Sequence, residues 1–404
     1  PAPAPPEDYG LPRALLENVV LRFGHDNPDA PEAELVAFLK ETAKEWQALK
    51  ARLAGLEAMD GRLANLRGAA ESAIAAGEFA EADARLADAE EMQQAERTLA
   101  EVRKQAEVRE ARGMAALMGG DEAAAAAHFE TAAGFFAPFD TDEGGRRLNG
   151  LTEALYRRGV AFGGEGLTQA IRLWESNLSR WTRDAAPQNW AMTQNNLAVA
   201  LRNQAARTEG AAGAALLGRA VAAYEAALEV YTREAAPQDW AMTQNNLANA
   251  LSDQAERTEA AAGAALLCRA VAAYEAALEV RTREAAPQGW AMTQNNLAFA
   301  LLSQAARVEP EKAVPLLKKA RRACDLAHEV RTRDAAPLDH ATAQWTLGLV
   351  LEAIAEHGDR REALAAAKAA FETALGIFDA ESNAPQYATC MEHLERIEGK
   401  LAGG

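Results

Sequence analysis

The chain has 404 residues, of which 49% are hydrophobic and only 6% aromatic, and a formal net charge of −17. That charge argues against the clustered basic face that nucleic-acid binding needs, and an alanine-heavy apolar share without alternating β-branched runs argues against sheets. No signal peptide is visible and no apolar run reaches the roughly 18 residues that span a bilayer, so no membrane contact is expected. Cys268, Cys324 and Cys390, odd in number and far apart, point to free thiols in a reducing, cytoplasmic setting.

Residues 1–10 open Pro1-Ala2-Pro3-Ala4-Pro5-Pro6. They read as a Pro/Ala-rich linker, which would make this the carboxy-terminal part of a longer protein. A helical segment is expected over 11–62. Leu15, Val19, Val20 and Phe23 give one short helix its apolar face, and Gly24 to Asp29 a turn. Leu35, Leu39, Thr42, Trp46, Leu49, Leu53 and Leu56 then follow a strict 4–3 spacing. Such a stripe is either a coiled-coil seam, through which residues 32–59 could self-associate, or a face packed inside the chain against the stretch 79–118.

From residue 63 the pattern changes. Ala70, Ala73, Gly77, Ala82, Leu86 and Ala89 share their intervals with Gly113, Ala116, Gly120, Ala125, Phe129 and Ala132. Small residues where helices cross, a glycine at the turn and a larger apolar residue on the second helix resemble the tetratricopeptide repeat. Residues 63–183 are read as degenerate pairs of this kind. Gly163-Gly164-Glu165-Gly166 lacks the strand and the Lys-Ser/Thr of a phosphate loop and reads as a turn.

The strongest signal is a repeat of fifty residues. Ala-Met-Thr-Gln-Asn-Asn-Leu-Ala stands at 191, 241 and 291, with an echo at 341, and residues 181–230 and 231–280 differ at only nine of fifty positions. A fixed period decides the architecture, because each unit buries its apolar face only on its neighbours. The array is expected over 184–380, with a solvating capping helix at 381–404. Pro187, Pro237, Pro287 and Pro337 are expected to end the preceding helices, and Asn189 or Asp239 to cap the following ones.

Asn195-Asn196-Leu197-Ala198 and Ala227-Leu228-Glu229-Val230, with the same strings at 245–248, 277–280 and 295–298, resemble the kinesin-light-chain type of tetratricopeptide repeat over 181–335. The period here is longer and the amino-terminal heptad region of that family is not recognisable, so motor function is not implied. The resemblance implies an all-α fold, a right-handed superhelical solenoid of antiparallel helix pairs preceded by the N-terminal helical segment. It also implies that first helices line a concave groove where asparagines hold an extended peptide backbone. Asn195, Asn196, Asn245, Asn246, Asn295 and Asn296 are the residues it nominates. An amide offers one acceptor and two donors, matching a peptide's N–H and C=O whatever its sequence. The alternative is that one asparagine of each pair fixes the stacking of helices.

Comparison of the copies adds an independent observation. Four of the nine differences fall at 199/249, 202/252, 203/253 and 206/256: Val199 against Asn249, Arg202 against Ser252, Asn203 against Asp253, Ala206 against Glu256. The third copy has Phe299, Leu302, Ser303 and Ala306. Offsets of 0, 3, 4 and 7 share one helix face. Val, Phe and Leu suit a binding stripe better than a merely solvated one. Trp190, Trp240 and Trp290 are read as wedges between units, and Tyr224 and Tyr274 as core. The recurring arginines are expected to pair with carboxylates such as Glu209 and Glu225 on exposed faces.

Six histidines make no metal-ligand spacing, and Cys390 with His393 is two ligands short of a zinc site. Neither a nucleophile elbow nor a Walker loop is present. The expected function is therefore a protein–protein interaction module without catalysis, cofactor or metal. A regulatory arm for an upstream effector domain and a self-associating scaffold are the alternatives.

Overall fold

The computed structural model describes residues 32–55, 61–91, 99–358 and 360–402, with isolated positions between 12 and 20. Residues 1–10 and most of the helix expected over 11–23 lie outside the described residues. Among the described residues the structure is all-α: sixteen helices and no strand. Compactness divides the chain into two units, residues 1–204 and 205–404.

Unit 1 comprises α1 (Glu32–Gly55), α2 (Gly61–Ala75), α3 (Phe79–Glu91), α4 (Leu99–Met118), α5 (Glu122–Gly134), α6 (Thr141–Phe162), α7 (Gly166–Asn177) and most of α8 (Pro187–Ala206). From α2 to α7 each helix packs on the next, and α1 packs on α4. Short links make consecutive helices antiparallel hairpins. Local chemistry sets the boundaries. Asp121 and Asp140 accept hydrogen bonds from the amides of Ala124 and Glu143, both at 2.9 Å, which satisfies donors that a helix start leaves orphaned. Gly77, Gly120 and Gly163 close the turns with φ of 76°, 73° and 78°, a region that only glycine enters cheaply. The Gly163–Gly166 cluster is thus a helix stop. Where helices cross, glycine is a packing requirement as well: a Cβ on Gly113 would lie 2.3 Å from the Phe129 ring.

The 4–3 stripe of α1 is consumed inside unit 1. Leu39, Thr42, Trp46, Leu49 and Leu53 are all buried, and Arg52 bonds to Glu110 of α4 at 2.9 Å. Of the two readings of this stripe, the structure shows the one inside the chain, packed on α4, while Leu56 lies outside the described residues. Beneath the stripe lies a buried ion pair, Glu45 with Arg158 of α6 at 3.4 Å, and Arg158 also reaches Glu122 at 3.4 Å.

Unit 2 holds α9 (Gly210–Leu228), α10 (Pro237–Glu256), α11 (Ala260–Leu278), α12 (Pro287–Ala305), α13 (Pro310–His328), α14 (Pro337–Ala355), α15 (Arg360–Leu375) and α16 (Ala384–Ala402). Each packs on the next, and the first helices α10, α12 and α14 also touch in sequence. Pro237, Pro287 and Pro337 occupy the first turn of α10, α12 and α14 rather than terminating the helices before them. A proline lacks an N–H that this position would leave unpaired anyway. Ala236, Ala286 and Ala336 stand at the caps without side-chain bonds, so Asp239 is inside α10 and not its cap.

By length and composition, 210–228 and 261–278 are apolar enough to cross a membrane, contrary to the expectation from sequence. Their apolarity is mostly alanine, and in this fold Ala220, Tyr224, Ala227, Ala270, Tyr274 and Ala277 are buried against neighbouring residues. At the carboxy end, α16 is held by a buried carboxylate. Glu352 of α14 accepts from His393 at 2.6 Å, Arg396 at 2.9 Å and Lys400 at 3.1 Å. Burial alone would raise its pKa, but these donors outweigh it and hold the carboxyl at about 2.

Glu45 behaves oppositely. Burial outweighs the attraction of Arg158 and pushes its carboxyl up to about 7. A carboxyl raised on folding adds stability that is complete below about pH 4.5 and lost as pH rises through about 7. Glu45→Gln should remove that slope. Urea unfolding followed across pH 5–8 is expected to show the wild-type chain losing up to about 3 kcal/mol relative to the variant, with α1 loosening first.

Candidate functional site

Inter-repeat contacts decide which side chains remain for a ligand. Asn195, Asn245 and Asn295 are buried, at 5%, 1% and 6% exposure. In unit 2 the reason is explicit. Arg281 donates to the hydroxyl oxygen of Thr293 at 3.4 Å, and that hydroxyl lies 3.2 Å from Oδ1 of Asn245 in the repeat before. Asn245 therefore lies inside the stack of unit 2. At the next joint Ala343 stands where Thr293 stood, and Oδ1 of Asn295 is buried without a partner.

The second asparagines, Asn196, Asn246 and Asn296, are half-buried. So are the first three positions of the diverged stripe, Val199, Arg202 and Asn203 in unit 1 and Asn249, Ser252, Asp253, Phe299, Leu302 and Ser303 in unit 2, while Glu256 and Ala306 are exposed. Each unit thus gathers its share of the nominated residues along its first helices.

In unit 1, Asn149 of α6 joins this face. Its Oδ1 accepts from Nε1 of Trp174 at 2.9 Å and from Nδ2 of Asn196 at 3.5 Å. Farther along, Asn203 donates to the hydroxyl of Tyr156 at 2.7 Å. Unit 2 repeats the arrangement. Oδ1 of Asn249 accepts from the Tyr274 hydroxyl at 2.6 Å and from Nδ2 of Asn296 at 3.2 Å. With its oxygen bound twice, each amide has a fixed orientation and presents its Nδ2 donors away from the buttress. Sequence reasoning passed over Asn149 and Trp174. Their signal was present: they stand fifty residues before Val199 and Tyr224, as Asn249 and Tyr274 stand fifty after.

Tyr224 and Tyr274 are buried at 1% and 2%, and Tyr274 also has the polar duty just described. Trp290 is buried while Trp190 and Trp240 are half-buried, and the Arg183 guanidinium lies 6.0 Å from the Trp190 ring centroid. Five other repeat arginines fall into two groups. Arg233, Arg269 and Arg283 pair with Glu279, Glu225 and Glu329 on exposed surface, where such pairs contribute at most about 1 kcal/mol. Arg257 and Arg307 instead reach carbonyls of the previous repeat, Ala205 at 2.8 Å and Ala255 at 3.3 Å respectively. They add a second donor to helix-end carbonyls that already accept from the amides of Thr208 and Thr258.

Among the described residues no group of three or more His, Cys, Asp or Glu side chains is placed to hold a metal. Burial raises the thiols of Cys324 and Cys390 to about 12 and about 11, which makes both poor nucleophiles.

No family model and no curated protein matches this sequence. Solved structures do. BtubC (BKLC) from P. vanneervenii is 20% identical with a TM-score of 0.39, over 66% of this chain and 91% of that one. The apo form of RapI is 13% identical with a TM-score of 0.40, over 97% and 98%. Yeast Tom70 is 12% identical with a TM-score of 0.37, over 95% and 81%. These values are low, and the class rests on the chain's own geometry: paired helices that pack in sequence, glycine-against-aromatic crossings and a fifty-residue period. By that geometry this is a tetratricopeptide-like helical-repeat protein.

The unpaired Oδ1 of Asn295 opposite Ala343 has a measurable consequence. Ala343→Thr places a hydroxyl where Thr293 carries one and gives Asn295 Oδ1 a donor. Chemical denaturation should show the variant more stable by about 1 kcal/mol, and Thr293→Ala should cost a similar amount.

Proposed function

We propose that the chain is a protein-interaction module whose first-helix faces each hold an extended segment of a partner protein. The observation that carries this reading is the pair of buttressed amides. Asn149 and Asn249 each have an oxygen that accepts two internal hydrogen bonds, and both side chains are half-buried on first helices. A pre-oriented amide loses little freedom when it binds a peptide carbonyl, so the contact is worth more than one from a mobile side chain. Asn196, Asn246 and Asn296 flank these donors, and the diverged stripe supplies side-chain selectivity. Asn195, Asn245 and Asn295 serve the stacking. We read no catalytic role into these residues and place the protein in a reducing compartment such as the cytoplasm.

The test is co-purification from the native host followed by mass spectrometry, with the Asn149→Ala/Asn249→Ala double variant as control. The expected result is a partner that loses roughly tenfold or more in affinity for the variant, while the helical melting curve shifts by only a few degrees. A partner held equally well by both proteins would contradict the reading. Alanine at Asn195, Asn245 and Asn295 should instead lower stability, because those amides are inside the stack.

A further inference from the structure

The link from α13 to α14 differs in chemistry from the links before it. Where a second helix gives way to the next first helix, the sequence carries a leucine and, twelve residues on, a tryptophan: Leu178 and Trp190, Leu228 and Trp240, Leu278 and Trp290. At the α13–α14 link the same two positions hold His328 and His340. Their rings meet edge to face, with centroids 5.6 Å apart and planes at 88°.

Each ring is fixed by a carbonyl. Nδ1 of His328 lies 2.8 Å from the Cys324 oxygen, and Nδ1 of His340 lies 2.8 Å from the Arg331 oxygen. A carbonyl only accepts, so Nδ1 carries the proton and Nε2 of the neutral ring is bare. Nε2 of His328 is buried without a partner. A proton added there would make a buried N–H with no acceptor, near Arg331, a cation only 6% exposed.

The surroundings offer little compensation. Asp339 of α14 lies 3.7 Å from Arg331, and Asp325 of α13 pairs with Arg321 at 3.6 Å. Glu329 pairs with Arg283, and on α15 Glu372 pairs with Lys368. α12 carries no charged residue, and Cys324 stays a neutral thiol. Burial accordingly holds the His328 imidazole below the ordinary histidine range, and His340 and Arg331 add to the effect. A histidine lowered on folding adds stability that is full above its unfolded value, about 6.5, and lost as pH falls below it.

Two further features make this the joint that yields. Oδ1 of Asn295 lacks the threonine hydroxyl that Asn245 meets one joint earlier. Beyond the joint, α14 and α16 are locked together by Glu352, whose carboxyl, held at about 2, keeps its charge in mild acid.

We propose that the His328–His340 pair is an acid-sensitive latch: below about pH 6, protonation undocks the terminal block α14–α16 from α12 and α13 while the rest of unit 2 stays folded. In a repeat array each unit is held only by its neighbours, so one weakened joint opens alone. α14 is the last of the first helices, so undocking shortens the face that unit 2 presents.

The test is hydrogen exchange read by mass spectrometry on the full chain at about pH 7.5 and about pH 5.5, corrected for the intrinsic rate at each pH. Protection of α14–α16 should fall roughly tenfold or more on acidification, while α10 and α11 keep theirs. His328→Leu/His340→Trp, which restores the residues of the earlier links, should remove the difference. Circular dichroism checks that it folds, and His328→Leu alone is the second variant should the double one melt early. Glu45 lies in unit 1 and acts in the opposite sense, so it cannot imitate the effect. Equal protection of α14–α16 at both pH values, a loss shared evenly by all unit 2 helices, or a loss unchanged in the variants would overturn the proposal.

Discussion

In unit 2, side chains of one repeat bond to groups of the repeat before it, and these joints between repeats set the face that the rest of the unit presents. The Ala205 and Ala255 carbonyls near the ends of first helices accept from the local amides of Thr208 and Thr258 and, in addition, from Arg257 and Arg307 of the next repeat. The amide of Asn245 is met by Thr293. Each such bond forms in one register only, so together they favour one way of stacking the repeats. Stacking in register lines the first helices up, and the stripe at 249, 252 and 253 falls beside its counterpart at 299, 302 and 303. The face offered to a ligand follows from the joints.

The same bonds explain why two adjacent asparagines do different work. Neighbours on a helix point about 100° apart. Asn245 turns toward the following repeat and is buried, while Asn246 stays half-exposed. Buttressing then adds orientation. Trp174 and Tyr274 come from second helices, yet their polar tips reach through to Asn149 and Asn249 on first helices. Each aromatic fills the core with its ring and fixes a surface amide with its N–H or O–H.

Much of this was legible in the sequence because a fifty-residue period states the fold almost directly, and because nine differences in fifty isolate one stripe. The roles within the asparagine pair were not legible. Helix phase alone puts Asn195 about 40° from Val199 and Asn196 about 60° from it, which favours Asn195 for the open face. The structure buries Asn195 nonetheless, since burial is decided by a neighbouring helix that single-helix geometry does not contain. Asn149 escaped notice because the copy around it has drifted, keeping Asn149 and Trp174 in register while losing the Ala-Met-Thr-Gln string. The seam of α1 was ambiguous for a related reason: a 4–3 stripe reads the same whether its partner is α4 or another chain. The prolines were placed one element too early, because a residue that cannot continue a helix can also begin one.

The central claim is that pre-oriented amides on the first helices grip a partner's backbone. A structure of the chain with its captured segment tests it most directly. The account predicts Nδ2 of Asn149 or Asn249 within hydrogen-bond distance of a partner backbone carbonyl, with the bonds from Trp174 or Tyr274 still in place. A partner seated on the second helices, or one that leaves both amides facing water, would contradict it.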